Sequence, residues 1–117
     1  MRGEREDIMN KVILSGRMTR DAEVRYSTGD NPIAIARFTL AVEKRFKRDG
    51  ESDADFINCV AFGNSAKFVE RFGTKGKKFE LCGHLSTGSY TDKDGKKVYT
   101  TDVDVEDINF AEGKKEQ

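Results

Sequence analysis

Apolar and polar residues alternate along most of this chain, and the alternation breaks at a few well-marked turns. Residues 11–16 read as a first strand, with Gly16 placed for a bulge or a barrel corner. Residues 26–32 are dense in Ser, Thr, Gly, Asp and Asn and predict a turn. A second strand over 33–42 carries Ala34, Ala36, Phe38, Leu40 and Val42 on one face, with Arg37 and Thr39 on the other. A polar hairpin tip at 47–52 leads to a third strand over 55–63. There Phe56, Asn58, Val60 and Phe62 alternate with Ile57, Cys59 and Ala61. Ser65 is then placed as N-cap of a short helix holding Ala66, Phe68, Val69 and Phe72, which ends near Gly73. Alternation returns over 78–90 through Phe79, Leu81, Gly83 and Leu85, and Asp92-Lys93-Asp94-Gly95 predicts a hairpin turn. The last strand, over 98–110, points Val103 and Val105 inward and Asp102, Asp104 and Glu106 outward.

Three strands, one short helix and two more strands contain no strand–helix–strand repeat, which excludes a parallel α/β sheet. The order predicts an all-β fold: a five-stranded OB-fold barrel with one short helix between strands 3 and 4. A chain of 117 residues has room for one such domain. The expected domain spans 9–110, between disordered segments at 1–8 and 111–117. No apolar run approaches the ~20 residues a membrane helix needs. The first residues lack the apolar stretch of a secretion signal. The expected location is therefore the cytoplasm.

Charge sharpens the picture. The formal net charge is zero, yet the cations are grouped. Basic residues cluster at Lys44, Arg45, Lys47 and Arg48, at Lys75, Lys77 and Lys78, and at Lys93, Lys96 and Lys97, each beside an aromatic residue. Cys59 and Cys82 lie in strand-like stretches without a Cys-x-x-Cys or a histidine cluster, and are expected as two reduced, buried thiols. His84 has no carboxylate at ligand spacing and reads as an ordinary strand residue, so neither a metal nor a cofactor is expected. There is no nucleophile elbow and no phosphate loop with correct spacing, so nothing points to a catalytic residue.

A binding surface has more material. Recognition of single-stranded nucleic acid needs flat π-faces for bases and cations for phosphates. Phe46 and Tyr90 flank polar hairpins, while Phe56 and Phe62 share one strand face. Phe38, Phe68, Phe72, Phe79 and Phe110 are assigned to the core.

At these positions the chain resembles the bacterial single-stranded DNA-binding proteins. The shared words are Asn10-Lys11-Val12-Ile13-Leu14 with Gly16, then Asp21, Glu23-Val24-Arg25-Tyr26 and Phe38-Thr39-Leu40-Ala41. Val60, Phe62-Gly63, Ala66, Lys75-Gly76, Gly83 and Leu85 follow, then Tyr90-Thr91-Asp92, Gly95 and Tyr99-Thr100-Thr101. The resemblance implies an OB fold, nearly sequence-independent binding of single-stranded DNA, and a homotetramer. It places base stacking on Phe46, Phe56, Phe62 and Tyr90, of which three are commonly tryptophan in the family. It places phosphate contacts on Lys11, Lys44, Arg45, Lys47 and Lys75. Ile57 stands where some members carry a histidine linked to assembly, which leaves a dimer as the fallback. Asn64 and Ser89 stand at positions that are often basic in the family. The family's acidic tail has no counterpart after Ala111, so partners that read such tails are not expected to bind. The competing readings are an OB-type protein-interaction module serving replication and a small barrel enzyme.

Overall fold

The computed structural model describes residues 8–46, 48–50 and 53–111. Among these, six strands and one helix follow in the order β1 (Val12–Met18), β2 (Glu23–Tyr26), β3 (Ala34–Glu43), β4 (Ala54–Phe62), α1 (Asn64–Phe72), β5 (Lys78–Thr91) and β6 (Lys97–Phe110). The five expected strands and the helix are present, and the fold is an OB barrel. Short β2 is the addition. It pairs only with β3, and Val24 alone of its four residues is half-buried, so it has no readable period. Of the segments expected to be disordered, 1–7 and 112–117 lie outside the described residues. Ala111 is tied by its N–H to the carbonyl of Lys78 at 3.1 Å.

One sheet, ordered β1-β5-β6-β4-β3-β2, closes when the end of β1 leaves β5 and pairs with β3 at Arg17↔Ala41 and Met18↔Leu40. At this exchange Gly16 faces bare backbone: a Cβ there would lie 2.6 Å from the Ala41 carbonyl oxygen. This is the barrel corner its position predicted. The β4–β6 contact is parallel and only two rungs long, Cys59↔Val103 and Val60↔Asp104.

Closure buries the inward residues: Ala34, Ala36, Phe38 and Leu40 of β3, Cys59 and Ala61 of β4, Phe79 and Leu81 of β5, and Val103, Val105 and Ile108 of β6. Ala66 and Val69 of α1, three residues apart on one helical face, stopper one end. Around them Phe68, Phe72, Phe79 and Phe110 form an aromatic cluster with centroids 5.0–5.7 Å apart. Phe38 and Phe79 are fully in the core and Phe68 and Phe72 half-buried, whereas Phe110 keeps one side in solvent. The helix is capped by Gly63, not Ser65: β4 runs to Phe62, so one residue separates strand from helix and Ser65 falls inside the first turn. Tyr26 donates to the Glu70 carboxylate at 2.7 Å and so ties β2 to α1.

Both cysteines are free, but only Cys59 is buried, and burial pushes its thiol up to about 12. Cys82 is half-buried, because it faces outward beside Ile13 of β1 instead of into the barrel.

The β5–β6 ladder contains a bulge: Cys82 pairs with Asp107 and Gly83 with Val105, so Glu106 is the extra residue. Gly83 packs here directly on the opposite backbone, where a Cβ would fall 2.0 Å from the Asp104 carbonyl oxygen. The displaced Glu106 carboxylate accepts from Lys11 Nζ and meets His84 Nδ1, both at 2.8 Å, while His84 Nε2 lies 3.5 Å from Asp104. The two carboxylates beside His84 come from β6 through register, which residue spacing does not show. Hydrogen bonds from Lys11 and His84 hold the Glu106 carboxyl below its ordinary range, and Glu106 holds the Lys11 ammonium above its own. Just before β1, the Asn10 side-chain amide donates to the Leu85 carbonyl at 3.0 Å and accepts from its N–H at 2.9 Å, adding one side-chain rung to the ladder.

Gly83→Ala is expected to destabilise the barrel by about 3 kcal/mol, because backbone cannot yield there as a side chain could. Gly88→Ala, whose new Cβ would meet only the Thr100 hydroxyl at 3.3 Å, should cost less than about 1 kcal/mol. Urea unfolding of the two variants tests the difference.

The bulge network also sets a pH response. Because the Glu106 pKa is depressed in the folded state, its stabilisation is present above the usual glutamate range and is lost as pH falls through the folded value. Glu106→Gln should therefore show a flatter acid limb in melting temperature against pH than the parent protein. Coinciding curves would show that the network contributes nothing.

Candidate nucleic-acid interface

The outward face of the barrel is defined by the same registers that define the core. In β3 and β4, Ile35 stands opposite Phe62, Arg37 opposite Val60, Thr39 opposite Asn58 and Ala41 opposite Phe56. Each pair alternates with an inward pair, so Phe56 and Phe62 cannot turn into the core without a register slip. Phe56 is 63% and Phe62 49% exposed, at the two ends of β4 and about 20 Å apart. Thr39 and Asn58 hydrogen-bond between them at 3.0 Å.

This face continues across the parallel junction. Val60 aligns with Asp104 of β6, Asp104 faces His84 of β5, and alternation along β5 then brings Ser86, Gly88 and Tyr90 to the same side. Tyr90 is 57% exposed, opposite Val98, where the β5–β6 hairpin runs beyond the barrel. Its turn is held by Asp92, whose carboxylate accepts from the N–H groups of Asp94 and Lys96, both at 2.9 Å. Phe56, Phe62 and Tyr90 therefore share one continuous surface.

Phe46 is on the β3–β4 connection and is 85% exposed with Arg45 exposed beside it. Lys44 closes the base of this connection, its N–H donating to the Asp53 carbonyl at 2.9 Å and its ammonium pairing with Asp55 at 2.7 Å. Lys47 falls outside the described residues. Lys75 is exposed on the α1–β5 connection, where its N–H donates to the Asp21 carboxylate at 2.9 Å. Lys11 lies beside His84, held by Glu106, so a phosphate at Lys11 would replace that carboxylate as its partner.

Arg37 is the residue that reading by basic clusters passes over. It stands alone in sequence, yet lies on the outward face between the two phenylalanines. It lines a shallow concavity with Arg20, Glu23, Asn58 and Asp102. Alternation from Phe38 marks it as outward, which is the signal that finds it. Among the described residues, no group of His, Cys, Asp and Glu could hold a metal ion, and no helix is long and apolar enough to cross a membrane.

Residues 9–111 match the single-strand binding protein family. A single-stranded DNA-binding protein of Clostridium perfringens is 48% identical over 102 residues, covering 87% of this chain and 65% of that protein. Single-stranded DNA-binding protein 3 of Clostridium acetobutylicum is 42% identical over 104 residues, covering 89% of this chain and 72% of that protein. A single-stranded DNA-binding protein of Bacillus cereus is 44% identical over 106 residues, covering 90% of this chain but only 61% of that protein. With an OB barrel, a surface bearing three outward aromatic rings and a match across the whole domain, this chain belongs to the single-strand binding protein family.

Proposed function

We propose that this chain binds single-stranded DNA without regard to sequence and protects it during replication, recombination or repair. The observation that carries the reading is the set of exposed rings, Phe56, Phe62 and Tyr90, on one outward face, with Phe46 on the neighbouring hairpin. Large aromatic side chains left in water at outward positions are unfavourable unless a ligand covers them. Unstacked bases are flat and apolar on their faces, and every base has such a face, so stacking is tolerant of sequence. Arg37 between the rings, Arg45 on the hairpin and Lys75 at the barrel end supply cations for the phosphates, with Lys11, Lys44 and Lys47 joining where their carboxylate partners are exchanged or their hairpin engages. The chemistry is binding alone, and the protein is not an enzyme.

The binding unit spans 9–110, and the working form is a homotetramer in the cytoplasm, associated with the nucleoid. Support for assembly lies on the outward side of β1, where Ile13 is 79% exposed next to Cys82, with Met9 92% exposed nearby in sequence. A second copy laid along this side would cover them. Light scattering at micromolar concentration is expected to report four chains. A monomer would refute the assembly.

Binding is expected to favour an oligodeoxythymidylate over a duplex of equal length, since a duplex hides the base faces. Phe56→Ala, Phe62→Ala and Tyr90→Ala should each weaken binding by about 1–3 kcal/mol and leave its salt dependence unchanged. Lys75→Ala should instead reduce the log–log salt slope by about 0.7. Because Phe62 is half in solvent, its truncation should scarcely move the melting temperature, unlike the ~3–5 kcal/mol that loss of a core phenylalanine costs. Fluorescence titration at several salt concentrations, with a melt for each variant, separates these outcomes.

A further inference from the structure

The distal half of the β5–β6 hairpin has two faces in solvent. One, already described, carries Ser86, Gly88 and Tyr90 with Val98, Thr100 and Asp102. The other carries Thr87, Ser89 and Thr91 of β5 opposite Thr101, Tyr99 and Lys97 of β6. Tyr99 on this reverse face is 74% exposed, more than Tyr90 or Tyr26. Lys97 stands over its ring at 5.4 Å from the centroid. The cross-strand neighbours of Tyr99 and Lys97 are the small hydroxyl residues Ser89 and Thr91, which offer hydrogen-bond donors. None of these six positions is acidic, whereas Asp102, Asp104 and Glu106 all lie on β6 closer to the barrel.

From this arrangement we propose a second base-stacking site on the reverse face, with Tyr99 as the platform and Lys97 as the phosphate contact. Its ligand is a nucleotide of the same single-stranded DNA, reaching the reverse face after passing the edge of the hairpin. The proposal rests on the reading of the outward face as a DNA surface. A two-stranded ribbon with its side chains is about 10 Å from face to face, so a few nucleotides span its edge. The hairpin then lies between two stretches of one DNA strand. A chain that engages both faces gains effective concentration at the second from binding at the first.

The chain has no tryptophan and three tyrosines, which makes tyrosine emission a direct probe. Tyr26 is held by Glu70 away from the hairpin. In a Tyr90→Phe protein, saturation with a long oligodeoxythymidylate should quench emission from Tyr99, and the quench should vanish in Tyr90→Phe/Tyr99→Phe. In otherwise unchanged protein, Tyr99→Ala should weaken binding of a strand of about 30 nucleotides by roughly 5- to 100-fold. Binding of a strand of about 3 nucleotides, too short to occupy the outward face and round the edge as well, should be unaffected, and Tyr99→Phe should bind the long strand like the parent. Equal affinity of Tyr99→Ala and parent for the long strand, with no quench at Tyr99, would overturn the second site. So would a Tyr99→Ala protein whose only change is in oligomeric state, since Tyr99 would then contact another subunit. If the parent protein binds neither oligonucleotide, the outward face is not a DNA surface, and the fault lies with that earlier reading.

Discussion

Closure of one sheet onto itself is the constraint from which the other features of this molecule follow. Strand β1 must serve both ends of the sheet, which it does by leaving β5 for β3 within seven residues. The enclosed space is small, and β3 fills it with Ala34, Ala36, Phe38 and Leu40. With period 2, every residue between these is driven outward. Arg37 is therefore on the surface for the same reason that Phe38 is in the core. In β4 the inward Cys59 and Ala61 are small, and the large rings Phe56 and Phe62 occupy outward positions.

Much of this architecture can be read directly from the alternation. The long strands, the helix, the Asp92–Gly95 turn and the exposure of Phe46 and Tyr90 beside polar hairpins all follow from local pattern. Family resemblance adds Phe56 and Phe62, whose outward placement alternation alone leaves open, because β4 is apolar on both faces. What escapes is what depends on register between distant segments. Lys11 and Glu106 are 95 residues apart, and only the bulge at Gly83 brings them together. The same bulge provides His84 with two carboxylates. Strand β2 escapes because a four-residue edge strand exposes most of its side chains, and Ser65 misleads because a single residue joins β4 to α1.

Charge is arranged on the same plan. A chain with no net charge places a group of cations on connections and hairpins, at Arg45, Lys75, Lys93, Lys96 and Lys97, where they stand out from the barrel and can follow a polyanion. Its carboxylates on β6 sit in the ladder itself, where neighbours engage them. Glu106 in particular spends its charge on Lys11 and His84.

The two-rung parallel contact between β4 and β6 has a mechanical consequence. Most of the barrel is laced by longer antiparallel ladders, but Cys59–Val103 and Val60–Asp104, like the two-rung closure of β1 on β3, form a short seam, here joining segments more than forty residues apart. A seam so brief has little local cooperativity and is a natural place for the barrel to breathe. Phe56 and Phe62 lie on one side of it and Tyr90 on the other. Any ligand that touches both sides binds only the closed form, and so acts as a suture whose strength rises with its own concentration.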